Sequence, residues 1–201
     1  MKTNLMKNSF HAPASGFFMR KGAFTLVELL VVIVVISMLA GLLMPALGGA
    51  REAAKKAKAQ TMVGSLHSAI KMYYNEYGTW PNASYTAEHT LTVAENACLL
   101  QMLQGSNVNL AGSTTANGNP RRIPFLTIKQ TDIGKVDGNY KKIATGGTDN
   151  LVNPWGNGFI VRIDYDGDNQ VTPISVALAD TLAIYTFGGK SGSISTNCTW
   201  K

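Results

Sequence analysis

Residues 29–47 form a long apolar stretch without any charge, in which Ser37 is the only clearly polar residue. A helix of that length at ~1.5 Å per residue covers about 30 Å, the thickness of a bilayer's hydrocarbon core. Arg20 and Lys21 precede the run, and nothing acidic lies before Glu28. That charge bias keeps the preceding segment in the cytoplasm. The pattern therefore predicts one membrane-crossing helix, with the rest of the chain on the far side.

A second pattern continues the helix beyond this run. Residues 51–59 are rich in good helix formers. Apolar residues then recur at steps of three and four, which is typical of one helix face lying against a core: they are Ala59, Met62, Val63, Leu66, Ala69, Ile70, Tyr73 and Tyr77. Gly78 and the Trp80-Pro81 pair end the pattern. We expect one long helix over 24–77, with a membrane half and an amphipathic half.

The remaining sequence predicts a second helix and then short strands. Thr92 and Glu95 have the spacing of a capping box, and Gly105 supplies a stop, so the helix should cover 92–104. Asp137-Gly138 and Gly146-Gly147 are turn signals in the part of the chain that has the pattern of short strands. The predicted strands are 123–128, 158–164 and 182–187. The fold class is therefore α+β, with one long helix packed on a small antiparallel sheet.

The segment Gly22-Ala-Phe-Thr-Leu-Val-Glu-Leu-Leu30 closely resembles the prepilin cleavage and methylation motif of type IV pilins and type II secretion pseudopilins. The resemblance implies a cut between Ala23 and Phe24, methylation of the new terminus, and Glu28 as the fifth mature residue. The family usually has Gly before the cut, and this chain has Ala23 there. A cut after Gly22 would make Glu28 the sixth residue, which favours the cut after Ala23.

Two further segments extend the resemblance. Residues 73–81 are similar to the helix exit of secretion pseudopilins, and Asn153-Pro-Trp-Gly-Asn157 is similar to a turn that usually begins with Asp. Asn and Asp side chains both bond the backbone two residues on, so we expect the turn to persist. The resemblance implies a pilin-like fold with three parts: a leader over 1–23, a transmembrane and assembly half over 24–47, and a periplasmic domain over 48–201.

The resemblance also implies the function. The chain would be a structural subunit of a secretion pseudopilus or a type IV pilus, anchored in the inner membrane with a cytoplasmic N-terminus. Its partners would be other copies and related pilins, the prepilin peptidase and the inner-membrane assembly machinery. Glu28 would pair with the terminal amine of an adjacent subunit. Pro45, at the twenty-second mature position, would let the helix unwind locally in a filament.

Three alternatives remain open at this point. The N-terminus also has the charged start and apolar middle of a secretory signal, with a loose cleavage site at 46–48, although the apolar run exceeds the usual 7–15 residues. A minor pilin could present Arg121-Arg122 and Lys141-Lys142 to DNA. A membrane-tethered periplasmic domain that never polymerises would carry the same anchor.

Charge and motifs limit the chemistry. The formal charge of +6 includes four leader residues, so the mature chain has 14 basic and 12 acidic side chains and a net charge of +2. That value gives little support to a nucleic-acid partner. The three histidines are dispersed, and the sequence has no phosphate-cradling glycine motif and no Cys-x-x-Cys pair. We therefore expect no enzymatic activity and no cofactor.

Two sets of residues are candidate covalent or metal sites. Cys98 and Cys198 both follow the membrane run, in a compartment that permits disulfides, and the sequence leaves their pairing open. Many secretion pseudopilins bind calcium in an acidic C-terminal loop, but residues 188–199 contain no Asp or Glu. Another candidate is Asp164, Asp166 and Asp168, whose spacing fails the EF-hand pattern at its sixth and twelfth positions. We expect a solvated acidic turn there, with calcium as the alternative.

Overall fold

A computed structural model describes residues 24–81, 85–108, 118–172 and 180–188, with only the backbone given at Pro45 and Ala46. The chain divides into two compact units, Met1–Pro45 and Ala46–Lys201. The helices are α1 (Leu26–Tyr77), α2 (Val93–Leu103) and a short 3₁₀ helix at Gln130–Asp132. The strands are β1 (His89–Thr90), β2 (Ile133–Val136), β3 (Thr148–Leu151), β4 (Phe159–Ile163) and β5 (Leu182–Thr186).

The first unit contains the apolar part of α1. Residues Leu26–Met44 have a mean hydropathy of 2.9 and are long and apolar enough to cross a membrane. None of this segment is buried within the described structure. The hydroxyl of Ser37 donates to the Ile33 carbonyl at 2.7 Å, so this polar side chain is satisfied inside its own helix. The predicted apolar helix is confirmed.

The second unit is built around the amphipathic part of α1. Six of the eight predicted stripe residues are buried, and the other two, Met62 and Tyr77, are half-buried against the same core. The stripe packs on α2 and on β4 and β5, so the predicted face is confirmed. The buried core cluster consists of Val63, Leu66, Ala69, Ile70, Tyr73, Leu91, Leu99, Leu100, Met102, Leu103, Leu151, Phe159, Val161, Ile163, Leu182 and Ile184.

Two small antiparallel sheets complete the second unit. The first has the order β1-β4-β5, with Phe159 opposite Thr186 and His89 opposite Ile163. The second pairs β2 with β3, with Ile133 opposite Leu151. Strands β4 and β5 are largely buried, which matches their nearly continuous apolar sequences. The architecture is α+β, as the sequence predicts.

One predicted strand is wrong. Residues 123–128 form no strand, and the amides of Phe125 and Leu126 both donate to the Leu103 carbonyl, at 2.8 and 2.9 Å. The segment therefore satisfies the C-terminal end of α2 instead of joining a sheet. Buried Asn119 supports this path, because its amide donates to the carbonyls of Met102 and Ile123.

Candidate functional site

Glu28 lies at the start of α1, where it forms a local cap with Thr25. Glu28 Oε2 accepts from the Thr25 backbone N–H at 2.9 Å and from the Thr25 hydroxyl at 2.9 Å. In return, the Glu28 backbone N–H donates to Thr25 Oγ1 at 3.2 Å. This reciprocal pattern is a capping box, and it satisfies backbone donors that the first turn leaves free. The carboxylate thus has a local partner within its own subunit, which the sequence argument missed.

The other predicted processing and assembly residues flank this segment. Phe24 is exposed, whereas Ala23 and the leader lie outside the described residues. The backbone at Pro45 belongs to α1. The roles assigned to Ala23, Phe24, Glu28 and Pro45, and the domain boundaries, stay predictions.

The turn that resembles a pseudopilin turn forms at residues 153–157, and the Asn153 side chain both accepts and donates hydrogen bonds there. Asn153 Oδ1 accepts from the backbone N–H groups of Trp155 and Asn157, both at 2.9 Å. Its Nδ2 donates to Thr186 Oγ1 at 2.9 Å and to the Phe187 carbonyl at 2.7 Å. Gly156 adopts a φ of 87°, a conformation that favours glycine. Asn153 therefore holds the turn and also fastens it to the end of β5.

The same turn reaches α1 through its indole. Trp155 Nε1 donates to Glu52 Oε1 at 2.7 Å, and the Trp155 side chain is half-buried. Glu52 also lies 3.9 Å from the Lys55 ammonium. The turn thereby places an amphipathic aromatic side chain beside the charged segment of α1 that begins the second unit.

A buried carboxylate anchors the start of α2. Glu95 completes the predicted capping box: its Oε2 accepts from the Thr92 backbone N–H at 2.6 Å, and its own N–H donates to Thr92 Oγ1 at 3.3 Å. Tyr85 and His89 also bond the carboxylate, and their rings stack with centroids 3.7 Å apart. Burial raises the pKa of the Glu95 carboxyl, but these hydrogen bonds outweigh it and hold the pKa below its usual range. The hydrogen bond to Glu95 raises the pKa of Tyr85 to about 12.

We expect Glu95→Gln to lower the free energy of unfolding by about 1–3 kcal/mol, because an amide presents only one acceptor oxygen to three donors. The folded pKa of Glu95 is depressed, so its contribution is present above the unfolded value of ~4.3 and disappears as the pH falls through the folded pKa. Denaturant titration of the detergent-solubilised chain at pH 7 and near pH 3 measures this. Glu76→Gln, on an exposed ion pair with Arg121, is the matched control. Equal stability of the two variants at pH 7 would contradict the assignment.

The candidate calcium residues converge in the turn after β4. Ligand oxygens of Asp164, Asp166 and Asp168 lie within 4.8 Å of one another. Both carboxylate oxygens of buried Asp164 accept backbone N–H groups of the turn, from Gly167 at 2.7 Å and Asn169 at 2.9 Å. A hydrogen bond with Asp164 raises the pKa of Asp166. Asp164 is thus already committed to shaping its loop, and the expectation of a turn without metal stays a prediction.

The cysteine pair and the basic pairs are placed only in part. Cys98 is half-buried on α2, while Cys198 lies outside the described residues, so their bridge stays a prediction. Thiol labelling of the denatured, unreduced chain tests the bridge, because two reactive thiols exclude it.

The basic pairs that could contact DNA lie at the surface. Arg121 forms an ion pair with Glu76. Lys141 and Lys142 are exposed between β2 and β3.

Comparison with known proteins agrees with the membrane-length helix. Residues 18–44 match the family model of the prokaryotic N-terminal methylation motif. The chain is 41% identical over 68 residues to type II secretion system core protein G of Pectobacterium carotovorum subsp. carotovorum, a stretch covering 34% of this chain and 42% of that protein. It is 31% identical over 128 residues to fimbrial protein EcpC of Eikenella corrodens, covering 63% of this chain and 74% of that protein. No solved structure matches the chain significantly.

These likenesses identify the class of protein. The chain belongs to the type IV pilin and pseudopilin family. The proteins that it matches are structural subunits and not enzymes, as the sequence predicts. The aligned stretch spans less than half the length of the secretion protein, whereas it spans about three quarters of the fimbrial protein.

Proposed function

We propose that the chain is a structural subunit of a pilus-like filament, either a secretion pseudopilus or a type IV pilus, and that it is stored in the inner membrane before assembly. One observation carries this proposal. The large apolar side chains of Leu26–Met44 are 49–80% exposed, so the segment has an apolar surface that the rest of the described chain does not cover. Water is a poor environment for such a surface. Lipid and the same segment of neighbouring subunits are the two apolar environments that suit it.

Assembly then exchanges one apolar environment for another. In lipid the segment contacts acyl chains, and in a filament it contacts neighbouring helices, so little hydrophobic free energy separates the two states. The charged residue of the segment, Glu28, can therefore decide the direction of exchange. A carboxylate without a cationic partner is penalised in the membrane, and pairing Glu28 with the terminal amine of an adjacent subunit would recover part of that cost.

Electron microscopy separates a filament subunit from a membrane tether. The full chain is overexpressed in cells that carry an assembly machinery and a prepilin peptidase, and surface fibres are sheared and identified with an antibody. We expect labelled filaments. Cells in which the machinery is deleted are the control and should retain the chain in the inner membrane. Retention in the membrane in both strains would support the tether instead.

Processing gives a second test of the proposal. We expect the mature chain to begin at Phe24 with an N-methylated amine, because a cut after Ala23 puts Glu28 at the fifth mature position. Mass spectrometry of the N-terminal peptide from purified membranes measures the start and the modification together. A mature chain that begins near Gly49 would instead indicate an ordinary signal peptidase and would contradict the pilin-type anchor.

A further inference from the structure

Basic side chains crowd the part of α1 that follows the apolar segment in the sequence. Six residues lie between Met44, the last residue of the candidate span, and Arg51, the first of these basic residues. The chain path from Met44 to Arg51 therefore covers at most ~25 Å. All four side chains are exposed. We call these residues the basic collar: Arg51, Lys55, Lys56 and Lys58.

Two of the four collar residues have no counter-charge among the residues that the structure describes. Lys58 Nζ lies 2.5 Å from Asp132 Oδ1, and Lys55 Nζ lies 3.9 Å from Glu52. Within the part of the chain that the structure describes, Arg51 and Lys56 have no carboxylate within 4 Å. Two exposed positive charges therefore face outward from this end of the second unit.

A tryptophan and a polar cleft adjoin the collar. Trp155 donates a hydrogen bond to Glu52, the residue after Arg51, and tryptophan is enriched at membrane–water interfaces. Beside it lies a cleft of about 370 Å³ that is lined in part by Lys58, Lys142, Thr131 and Asp132. Lys142 is exposed, and no described carboxylate lies within 4 Å of it. The two lysines outweigh the one carboxylate in the cleft, so the cleft favours an anion.

We propose that the basic collar and this cleft bind the phosphate headgroups of anionic phospholipids in the leaflet next to the second unit. The proposal rests on the membrane anchoring described above, which brings the collar close to a headgroup layer. Each Lys or Arg near an anionic surface increases binding about fivefold, and the effect falls off within a Debye length of ~8–10 Å. Trp155 supplies the amphipathic contact that a purely electrostatic patch lacks. The unassembled subunit would then be attached to the membrane at a second place.

Native mass spectrometry of the full chain tests this proposal. The detergent-solubilised protein is incubated with equal amounts of phosphatidylglycerol and phosphatidylcholine, and the ratio of the two bound lipids is measured. We expect the parent to retain phosphatidylglycerol preferentially. Arg51→Gln/Lys56→Gln should lower the ratio about fivefold for each removed charge, and Lys142→Gln should lower it about fivefold. The matched control is Arg121→Gln/Arg122→Gln, which removes the same charge elsewhere and should keep the parental ratio.

Several results would overturn the proposal. Equal binding of both lipids by the parent would do so, and so would an equal fall in the lipid ratio in the collar and control variants. A collar variant that keeps the parental lipid ratio but no longer forms dimers would also do so, because the partner of the collar would then be carboxylates of a second copy. Insertion into phosphatidylcholine and phosphatidylglycerol nanodiscs is measured in parallel. A chain that enters both discs without headgroup preference overturns only the lipid site. A chain that enters neither overturns the membrane anchor of the proposed function as well.

Discussion

Chains carrying Glu28→Val or Glu28→Gln are expected to insert into the membrane and to be cleaved, yet to enter filaments poorly on their own. The reason is the cost of a carboxylate in lipid, ~2.5–3.5 kcal/mol at the membrane centre and less near the interface. Pairing with a neighbour's amine recovers part of that cost only in the assembled state. Since ~1.4 kcal/mol corresponds to a tenfold change, filament yield should fall at least about tenfold. Quantitative blotting of sheared filaments against membrane-retained subunit measures the yield.

The two variants separate the charge of Glu28 from its cap. Gln keeps an acceptor for the Thr25 backbone N–H, which Glu28 Oε2 binds at 2.9 Å, whereas Val removes the cap and the charge together. Loss of filaments in both variants would assign the effect to the charge. Normal filaments from Glu28→Gln with none from Glu28→Val would assign it to the cap, and normal filaments from both would leave the residue without an assembly role. Ser37→Ala is the control, because the Ser37 hydroxyl donates to the Ile33 carbonyl of its own helix.

Asn153→Asp should destabilise the second unit by about 2–4 kcal/mol at neutral pH. The substitution keeps the oxygen that accepts from Trp155 and Asn157 but replaces the donating nitrogen with a second oxygen. That oxygen would lie about where Nδ2 now lies, 2.7 Å from the Phe187 carbonyl oxygen. Asn153 is only 4% exposed, so water cannot relieve the repulsion. Denaturant titration of the detergent-solubilised chain measures the loss.

The pH dependence of this variant identifies the cause. A protonated aspartic acid can donate to the Phe187 carbonyl, so part of the lost stability should return as the pH falls below the variant carboxyl's pKa. Asn139→Asp, at an exposed position between β2 and β3, should change stability by less than ~0.5 kcal/mol. Equal stability of Asn153→Asp and the parent at pH 7 would show that the amide does not fasten the turn to β5.

Periodicity predicted the parts of the fold that follow from local pattern. Each of these parts contains several apolar residues at the spacing that places them in the same apolar surroundings. They are the apolar segment, the buried stripe from Ala59 to Tyr73, and the buried strands β4 and β5. Strands β2 and β3 were not predicted, because Ile-Gly-Lys-Val and Thr-Asp-Asn-Leu are short and contain residues that are depleted in strands. Their pairing with each other, which no local pattern encodes, makes them strands.

The candidate site also contains some contacts that local spacing predicts and others that it does not. The Thr92–Glu95 capping box was predicted from its spacing, and Thr25–Glu28 has the same spacing, so the cap on α1 could have been found by the same rule. The donor role of Asn153 was not predictable in that way. It depends on Phe187, thirty-four residues further along the chain, whereas the local turn pattern makes Asn and Asp equivalent acceptors. Long-range partners decide whether a polar substitution is neutral.

A cryo-electron microscopy reconstruction of purified filaments tests the filament proposal most directly. We predict that residues 26–44 of neighbouring subunits pack on one another at the filament centre. The Glu28 carboxylate should lie within ~4 Å of the terminal nitrogen of an adjacent chain that begins at Phe24. A reconstruction in which these segments do not contact one another, and in which each Glu28 bonds only its own Thr25, would contradict the account.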